Sequence, residues 1–454
     1  MEKEGDRIMA KRKMWELQQK QSLPLNLKIS LTKARIRQWI NEYGEDGVYV
    51  SFSGGKDSTV LLDLVRQDYP EVKAVFLDTG LEYPEIRDFV KTFDNVDWIK
   101  PKMNFREIID KYGYPMIGKE VSECIYEAKK YLTNAIHDKS ALTDRQTDRQ
   151  TDSIKYAYRM ADILGIDRRV NKKNKDYQNL KMGIIHSTKK YKYGKSVRIL
   201  QLEGKMPYVK DGVATGKYSS QYNKSKYAFF LNAPFSISNR CCIKMKKEPA
   251  HKYQRDNKAN PMTAQMAVES RLRTSQWIKH GCNMFDAKNP ISNPMSFWLE
   301  QDVYQYIKEN NLKIASVYGD IVVKDSGLQG QVNIHDYLND YRECEYCTTG
   351  CARTGCMFCG YGCHLEKAGK GRFERMAITH PQLYDYVMRG GAFDDDGLWK
   401  PANNGLGYWF VLKWINIHGG FNIVIPNYEH YEKEYGNELT QKYLYEREQN
   451  GRTL

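Results

Sequence analysis

The sequence predicts an α/β fold: a doubly wound, mostly parallel sheet, with a basic insertion and a cysteine-rich C-terminal region. The sheet is predicted from two short β-rich runs, residues 48–52 and residues 74–77, which flank an apolar helical segment that begins near Val60. A strand, a helix and a second strand at this spacing form a βαβ unit, whose strands are parallel. The chain has 454 residues, of which 41% are hydrophobic, and this is sufficient for the cores of two or three domains.

The composition argues against a wholly disordered chain and against a membrane-spanning one. No run of eighteen apolar residues occurs, and the apolar stretch at residues 408–412 ends at Lys413. Residues 1–4 are mostly charged and lack the apolar segment of a secretory signal. We therefore expect a cytoplasmic protein that has no membrane partner.

The other elements follow from the spacing of apolar residues. Residues 1–25 have the pattern of a charged amphipathic helix, and residues 27–43 carry apolar side chains at helical spacing. Further helices are predicted near residues 249–281 and 297–310, and an aromatic-rich tail begins at His380.

Between the first strand and its helix lies a loop that has the residues of a phosphate-binding site. Glycines let the backbone approach an anion closely, and free N–H groups at the start of the helix bind it. Lys56 adds positive charge, and Asp57 can help to hold Mg²⁺ between phosphate oxygens. The spacing is not that of a Walker A loop, and an ordinary glycine turn is the alternative. The predicted binding residues are Ser53, Gly54, Gly55, Lys56, Asp57, Ser58 and Thr59.

The positive charge of the chain is concentrated in one segment. The protein has 70 Lys and Arg against 56 Asp and Glu, a net charge of +14, and residues 167–226 alone carry +12. Tyrosines are interleaved with these basic residues, so we predict that the segment binds the backbone of DNA or RNA and stacks on its bases. The alternative is a solvated insertion with half-buried tyrosines. A perfect four-residue repeat at residues 143–152 marks the start of this region and is assigned no function.

Six of the ten cysteines fall within residues 344–363. In a cytosolic protein, such clustering indicates metal or redox chemistry rather than disulfides. Spacing alone favours zinc and an iron–sulfur cluster equally, and free thiols are a third alternative. Cys124 and Cys282 stand apart and are predicted to be buried small side chains. A four-thiolate zinc site can be drawn from two C-x2-C pairs, Cys344, Cys347, Cys356 and Cys359.

Two segments resemble known nucleotide-binding motifs. Residues 51–58 resemble the PP-loop of the N-type ATP pyrophosphatases, and residues 76–85 resemble the second strand motif of the phosphoadenylyl-sulfate (PAPS) reductase family. The resemblance implies the fold of the adenine nucleotide alpha hydrolase-like superfamily, in which the nucleotide lies over the carboxyl ends of the strands. It also implies that Asp78 and Thr79 border the nucleotide.

A third segment resembles the arginine-bearing part of the reductases, which holds the sulfate or phosphate end of the nucleotide. The resemblance implies this role for Arg271 and Arg273, since arginine suits bidentate recognition of phosphate. A salt-bridged helix surface is the alternative.

Residues 241–249 resemble the paired-cysteine motif of the assimilatory adenylyl-sulfate reductases, in which a Cys-Cys pair and a downstream C-x2-C hold a four-iron four-sulfur cluster. Lys246 would lie near the cluster and tune it electrostatically. The two halves of the motif are further apart here than in that family. The ligands implied by the resemblance are Cys241, Cys242, Cys356 and Cys359, and the local alternative is Cys351, Cys356, Cys359 and Cys363.

These features predict a division of the chain into six regions. They are an N-terminal helix (1–25), the first part of a PP-loop nucleotide-binding core (26–125), the basic insertion (126–234), the second part of the core (235–335), the cysteine-rich cluster region (336–370) and a C-terminal region (371–454).

We interpret the chain first as an enzyme of ATP α-phosphate chemistry. ATP would bind with its pyrophosphate on residues 53–59, where Mg²⁺ and Lys56 stabilise the departing pyrophosphate. Sulfur, from a donor or partner protein, would then displace AMP from the adenylated acceptor. The basic insertion nominates a nucleic acid as that acceptor. By resemblance, iron–sulfur PP-loop enzymes that thiolate tRNA and the related DNA-phosphorothioation enzyme are the precedents.

The second hypothesis is thiol-dependent reduction of adenylyl sulfate or PAPS. The reductases use a cysteine thiolate on a mobile C-terminal segment, but no cysteine follows Cys363 in this sequence. Cys363, Cys351 or a partner's thiol would have to replace it. Across these two enzymatic hypotheses, the predicted catalytic residues are Lys56, Asp57 and Cys363.

The third hypothesis is a non-enzymatic regulator that senses nucleotides and redox state and binds DNA.

Overall fold

A computed structural model describes residues 14–130, 197–210, 213–323 and 345–445. The four-residue repeat, most of the basic insertion and Cys344 lie outside the described residues. The chain divides into two compact units. The first comprises Met1–Asn104 and Ile243–Met357, and the second comprises Phe105–Cys242 and Phe358–Leu454. The six regions drawn from the sequence stay a prediction.

The described helices and strands are numbered here in chain order. The helices are α1 (14–21), α2 (Leu25–Tyr43), α3 (Lys56–Asp68), α4 (Pro84–Val90), α5 (Phe105–Tyr112), α6 (119–130), α7 (Val197–Leu202), α8 (Arg240–Cys242), α9 (Glu248–Asn257), α10 (Arg271–His280), α11 (Glu300–Glu309), α12 (Arg372–Thr379), α13 (Pro381–Met388), α14 (Tyr408–Gly419), α15 (Tyr428–Tyr435) and α16 (Glu438–Tyr445). The strands are β1 (Val48–Ser51), β2 (Ala74–Leu77), β3 (Val96–Ile99), β4 (Met116–Ile117), β5 (Pro207–Lys210), β6 (Val213–Tyr218), β7 (Asn260–Met262), β8 (Asn283–Met284), β9 (Ile291–Ser292), β10 (Ile321–Val323), β11 (Tyr346–Thr348), β12 (Gly360–Tyr361), β13 (Ala392–Phe393) and β14 (Trp399–Lys400).

The first unit is built on a six-stranded sheet in the order β3–β2–β1–β7–β9–β8. Its strands pair in parallel except β8, which runs antiparallel to β9. This confirms the predicted α/β class with a mostly parallel sheet. The chain moves outward from β1 to β2 and β3, and then returns to the other side of β1 with β7. The strand order therefore reverses at β1, and open α/β sheets bind their ligands beside such a reversal, at the carboxyl ends of the strands.

The local sequence explains why β1 and α3 form where they do. Val48, Tyr49 and Val50 are all buried, as expected for a strand covered on both faces. Helix α3 follows after one loop and buries an apolar face that includes Val60 and Leu64. The predicted strand, loop and helix thus occur at the predicted places.

A buried ion pair fastens α2 to the start of α11 in the same unit. The Lys28 ammonium lies 2.7 Å from both carboxylate oxygens of Asp302, and Lys28 is only 2% exposed. Asp302 also accepts a hydrogen bond from the Leu299 N–H at the helix start. Removal of one partner from such a pair costs about 3–5 kcal/mol, because the other charge is left buried without a partner.

The second unit is largely helical and has α14 at its centre. The apolar stretch at residues 408–412 is fully buried in this helix, so it forms protein core. Short strand pairs complete the unit: β4 with β12 in parallel, and β5 with β6 and β13 with β14 antiparallel. Among the described residues, no helix is both long enough and apolar enough to span a bilayer.

Candidate functional site

The loop after β1 has the geometry that its glycines predict. Gly54 has a φ of +68°, which favours glycine. A Cβ at this position would lie 2.7 Å from Val90 Cγ2, so a side chain would also collide with α4. Gly55 then precedes α3, and the helix begins at Lys56. The loop therefore brings bare backbone to the N-terminus of a helix, where anions bind.

The hydroxyl groups of the loop organise its backbone. Ser58 Oγ accepts a hydrogen bond from the Ser53 N–H at 3.2 Å and lies 3.0 Å from Ser53 Oγ. Ser58 and Thr59 both donate to the Gly55 carbonyl, at 2.9 and 3.0 Å. Thr59 is 1% exposed, so its hydroxyl caps the backbone from inside the protein. Ser58 is also buried, so Ser53 is the exposed hydroxyl of these three.

Lys56 is buried and held at the start of α3. Its ammonium lies 3.0 Å from Glu300 Oε1 and 3.5 Å from Asp57 Oδ1, and it donates to the Ala352 carbonyl at 3.2 Å. Its backbone N–H donates to the Tyr318 hydroxyl at 3.1 Å. A fixed positive charge therefore lies beside the N–H groups that can bind phosphate.

Asp57 is the neighbouring carboxylate. Burial raises its pKa above the usual range; Lys56 opposes this increase and Glu300 adds to it. Asp57 Oδ1 is buried and forms an ion pair with the Lys56 ammonium at 3.5 Å but, among the described residues, accepts no hydrogen bond. Mg²⁺ is usually bound by one or two carboxylates together with substrate phosphates, so this oxygen fits a cation that arrives with a nucleotide.

Asp78 and Thr79 follow β2 at the same edge of the sheet, because β1 and β2 are parallel. Asp78 is 4% exposed and accepts hydrogen bonds from the Arg87 guanidinium at 3.0 Å and the Gly80 N–H at 3.2 Å. The Thr79 hydroxyl donates to the Glu82 carboxylate at 2.7 Å. Asp78, Thr79 and their hydrogen-bond partners form a rigid border beside the loop. The sequence had indicated only Asp78 and Thr79 of this border.

A cavity of about 830 Å³ opens at this edge of the sheet in the first unit. This volume lies within the range of small-molecule sites, about 300–1,000 Å³. Ser53, Leu77 and Thr263 line it at the ends of β1, β2 and β7. Its other lining residues include Glu82, Lys246, Lys247, His251, His280, Thr354 and Gly355. The cavity therefore joins the phosphate loop to a wall that is rich in basic side chains.

The two predicted arginines differ in their surroundings. Arg273 forms an ion pair with Glu269, and its pKa is lowered by burial and by the nearby Arg353, while Asp57 opposes this change. Arg271 is exposed at the first position of α10. Residues two apart on a helix point to different faces. Arg273, rather than Arg271, is thus the arginine with an electrostatic contact to the loop.

Three of the four predicted cluster ligands belong to the second unit. Cys241 Sγ lies 4.0 Å from Cys242 Sγ and 3.9 Å from the Tyr361 hydroxyl. The hydrogen bond with Cys242 and burial raise the Cys241 pKa far above its usual range, and the charge of Cys359 adds to this effect. A metal, if bound here, would remove the protons from these thiols, because it binds the thiolate form. Cys356 lies three residues before Cys359 in the chain. Within the described ranges, no group of three or more Cys, His, Asp or Glu already has a metal-binding arrangement.

Cys363 and Cys351 are poorly suited to act as nucleophiles in this conformation. Cys363 is 2% exposed, and burial raises the pKa of its thiol to about 12. Cys351 is 4% exposed. A reactive cysteine needs an accessible thiolate, and neither residue provides one here.

The structure adds Glu300, Tyr318, Arg353 and Thr354 to the site, and sequence reasoning missed all four. Glu300 lies in the segment 297–310, for which the sequence predicts only a helix. Arg353 and Thr354 lie inside the cysteine-rich stretch, whose pattern points to its thiols. Tyr318 has no motif around it and reaches Lys56 across 262 positions of the chain.

The described part of the basic insertion contains charges that are already paired. Lys224 is 6% exposed and lies 2.7 Å from Glu120, and Lys205 lies 3.3 Å from Glu203. Tyr208 and Tyr218 are about half exposed. The net charge of the insertion therefore overstates the number of cations available to a polyanion in this part.

Comparison with known proteins links these features to one family. The family model of the phosphoadenosine phosphosulfate reductase domain matches residues 47–119 and 184–360, more than half of the chain. The adenosine 5′-phosphosulfate reductase of Staphylococcus haemolyticus is 30% identical over 100 residues, 21% of this chain and 41% of that protein. The enzyme of the same name from Geobacillus kaustophilus is 34% identical over 97 residues, 21% of this chain and 38% of that protein.

A third relative, an uncharacterized protein of Methanocaldococcus jannaschii, is 41% identical over 73 residues, 15% of this chain and 18% of that protein. The matches therefore span less than half of the length of each of these relatives.

Proposed function

The chain belongs to the phosphoadenosine phosphosulfate reductase family, and on this premise we propose that it is an enzyme that binds a sulfonucleotide, adenylyl sulfate or PAPS, and reduces it. The observation that carries the proposal is the phosphate loop, whose Ser53 lines the 830 Å³ cavity at the carboxyl ends of β1 and β2. The relatives named adenosine 5′-phosphosulfate reductase support the choice of substrate.

The proposed binding mode follows from the contacts of the loop. The adenosine part occupies the cavity beside Leu77 and Thr263. The α-phosphate lies over residues 53–58, where backbone N–H groups and the Lys56 ammonium stabilise its charge. Glu300 and the Ala352 carbonyl hold Lys56 in place before the nucleotide arrives, so little reorganisation is needed on binding.

The proposed reaction transfers two electrons from thiols to sulfur. A thiolate attacks the sulfur atom of the bound sulfonucleotide, a sulfur–sulfur bond forms, and the sulfur–oxygen bond breaks with departure of AMP from adenylyl sulfate, or of adenosine 3′,5′-bisphosphate from PAPS. A second thiolate then attacks the thiol-derived sulfur of that adduct, releases sulfite and leaves a disulfide. We assign the two thiols to a dithiol reductant, because Cys363 and Cys351 are buried.

Cys241, Cys242, Cys356 and Cys359 are the residues we propose to hold a four-iron four-sulfur cluster. The proposal is supported by the 4.0 Å separation of Cys241 Sγ and Cys242 Sγ and by the effects of Cys242 and Cys359 on the pKa of the Cys241 thiol within the second unit. When bound, such a cluster supplies a local charge that tunes the electrostatics of nearby groups.

A second candidate is ATP-dependent adenylyl transfer, with pyrophosphate on the same loop and Mg²⁺ on Asp57. The specific observation in its favour is the buried Asp57 Oδ1, which lacks a hydrogen-bond partner among the described residues. Residues 167–226 would then bring a nucleic-acid acceptor, and a sulfur donor would displace AMP. A nucleotide- and redox-sensing DNA-binding regulator would bind the same nucleotides without turning them over.

Parallel anaerobic incubations test these candidates. With sulfur-labelled adenylyl sulfate and dithiothreitol, we expect labelled sulfite and AMP; with ATP and Mg²⁺, the second candidate requires pyrophosphate. Lys56→Gln and Ser58→Ala should each lower the rate by at least about tenfold, as loss of a hydrogen bond to a charged group does. Arg255→Gln, on an exposed part of α9, is the matched control.

The same purified protein is assayed for iron and acid-labile sulfide. Nucleotide binding with neither sulfite nor pyrophosphate formed would contradict both enzymatic candidates and favour the regulator. Thermal unfolding of each variant checks that a lost rate does not reflect a lost fold.

A further inference from the structure

The segment before Cys356 forms a second wall over the phosphate loop within the first unit. Lys56 donates to the Ala352 carbonyl at 3.2 Å, and Thr354 Oγ1 lies 2.7 Å from the Tyr318 hydroxyl, which accepts the Lys56 N–H. A Cβ on Gly55 would lie 3.2 Å from that Tyr318 hydroxyl and 3.5 Å from Thr354 Oγ1. The residues on both sides of Arg353 are therefore in contact with the loop that binds phosphate.

Backbone hydrogen bonds fix this wall at both ends. The N–H groups of Gly350 and Cys351 donate to the carbonyls of Tyr318 and Val317, at 2.8 and 2.9 Å, and the Met357 N–H donates to the Leu81 carbonyl at 2.8 Å. Gly350 packs so tightly that a Cβ there would lie 2.4 Å from the Val317 oxygen. Arg353 thus projects from a backbone with a defined position.

Arg353 and Arg273 share one carboxylate, Glu269. Arg353 lies 3.7 Å from Glu269 Oε1, which is longer than a hydrogen bond, and Arg273 pairs with the other oxygen. Glu269 also accepts the Met266 N–H at 2.9 Å, so it is fixed in place. Two guanidinium groups share one carboxylate, so Glu269 neutralises only one of the two positive charges. The Arg353 side chain is 58% exposed and is therefore accessible to a ligand.

The same arginine acts electrostatically on the loop. It lowers the pKa of Asp57, against the larger effect of burial, and it lowers the pKa of Arg273. Both effects require that its charge lies close to these groups. The geometry agrees: the neighbours of Arg353, Ala352 and Thr354, contact Lys56 and Tyr318 beside the phosphate loop, and its guanidinium lies 3.7 Å from Glu269 of the arginine segment.

We propose that Arg353 is a substrate-binding residue that, together with Arg273, contacts the anionic group joined to the α-phosphate: the sulfate of adenylyl sulfate or the β-phosphate of ATP. The inference rests on the proposed nucleotide site. Both anions are tetrahedral and present oxygens that a guanidinium can bind in a bidentate manner. Glu269 holds the two arginines in the absence of ligand, and the anion takes over part of this pairing.

Equilibrium binding of AMP, adenylyl sulfate and ATP to the full chain tests the inference. Arg353→Gln should weaken the affinity for adenylyl sulfate or ATP by about tenfold to a hundredfold, the range for a hydrogen bond to a charged group. AMP, which lacks the second anionic group, should lose less than about threefold. A loss confined to one of the two larger ligands identifies which anion the arginine binds. Arg255→Gln should bind all three as the wild type does.

If Arg353→Gln binds adenylyl sulfate and ATP as the wild type does, or if it loses as much affinity for AMP as for these two ligands, the role proposed for Arg353 is overturned. The proposed function is not affected by either result. A wild-type protein that binds none of the three nucleotides would overturn the proposed function, and this inference with it. Because the Arg353 side chain is exposed, we expect Arg353→Gln to unfold at the wild-type temperature. A thermal unfolding measurement with that result would exclude a lost fold as the cause of weaker nucleotide binding.

Discussion

Asp57 shows how one residue can make nucleotide binding depend on pH. Its carboxyl group is partly buried, and burial, reinforced by Glu300 and opposed by Lys56, raises its pKa, so it binds a proton at a pH where an ordinary aspartate is ionised. A protonated carboxyl cannot hold Mg²⁺. We therefore expect the Mg²⁺-dependent part of ATP binding to weaken as the pH falls, starting above the pH at which an exposed aspartate is protonated.

The measurement is ATP affinity against pH, with and without Mg²⁺. Asp57→Asn should remove both the Mg²⁺ effect and its pH dependence, because the amide does not titrate in this range. Asp88, which is exposed and has a lowered pKa because of Lys91, gives the control variant Asp88→Asn, which should keep the wild-type profile. A wild-type affinity with the same pH profile in the presence and absence of Mg²⁺ would contradict a metal role for Asp57.

At the scale of an element, the turn between β1 and α3 depends on Gly54. Alanine at this position combines a left-handed φ, which costs about 1–2 kcal/mol, with overpacking against Val90, which costs about 1–3 kcal/mol. We expect Gly54→Ala to lower the free energy of unfolding by about 2–5 kcal/mol and to abolish nucleotide binding.

Gly420 provides the matched control for this variant. It also has a left-handed φ, +64°, but a Cβ there would meet nothing within 4 Å. Gly420→Ala should therefore lower the free energy of unfolding only by the cost of the left-handed φ, about 1–2 kcal/mol. It should keep nucleotide binding. Denaturant unfolding and nucleotide titration measure both effects, and an equal loss in the two variants would argue against close packing at Gly54.

These elements also show what the sequence reveals and what it hides. The strand β1, the loop and α3 follow from apolar periodicity and glycine placement within about twenty neighbouring residues, so they could be predicted with their chemistry. Tyr318 and Ala352 contact Lys56 across 262 and 296 positions. No local pattern encodes such contacts, since they arise from tertiary packing.

The cysteines are partly predictable, between a local pattern that the sequence shows and a long-range contact that it does not. Resemblance to a known motif nominated Cys241, Cys242, Cys356 and Cys359, and within the second unit Cys242 and Cys359 both raise the pKa of the Cys241 thiol. Composition and spacing alone had left zinc and iron–sulfur chemistry open. Two cysteine pairs that lie far apart in the chain can be assigned to one site only by comparison with a known motif that contains both.

At the scale of the whole molecule, the net charge of +14 is distributed unevenly, and residues 167–226 carry +12 of it. The described part of this segment contains neutralised cations such as Lys224, which is buried against Glu120. The charge available to a polyanion therefore depends mainly on the basic residues between 167 and 196, which lie outside the described residues.

Neutralisation of the three lysines within residues 189–192 tests this view of the insertion. If they contact phosphates of single-stranded DNA or RNA, their replacement by glutamine removes about three ion pairs, and each contributes about 0.7 to the slope of log affinity against log salt. The slope should therefore become shallower by about 2. Lys433→Gln with Lys442→Gln, on exposed positions of α15 and α16, is the control and should leave the slope unchanged. Equal slopes for the wild type and the 189–192 variant would show that these lysines do not contact the nucleic-acid backbone.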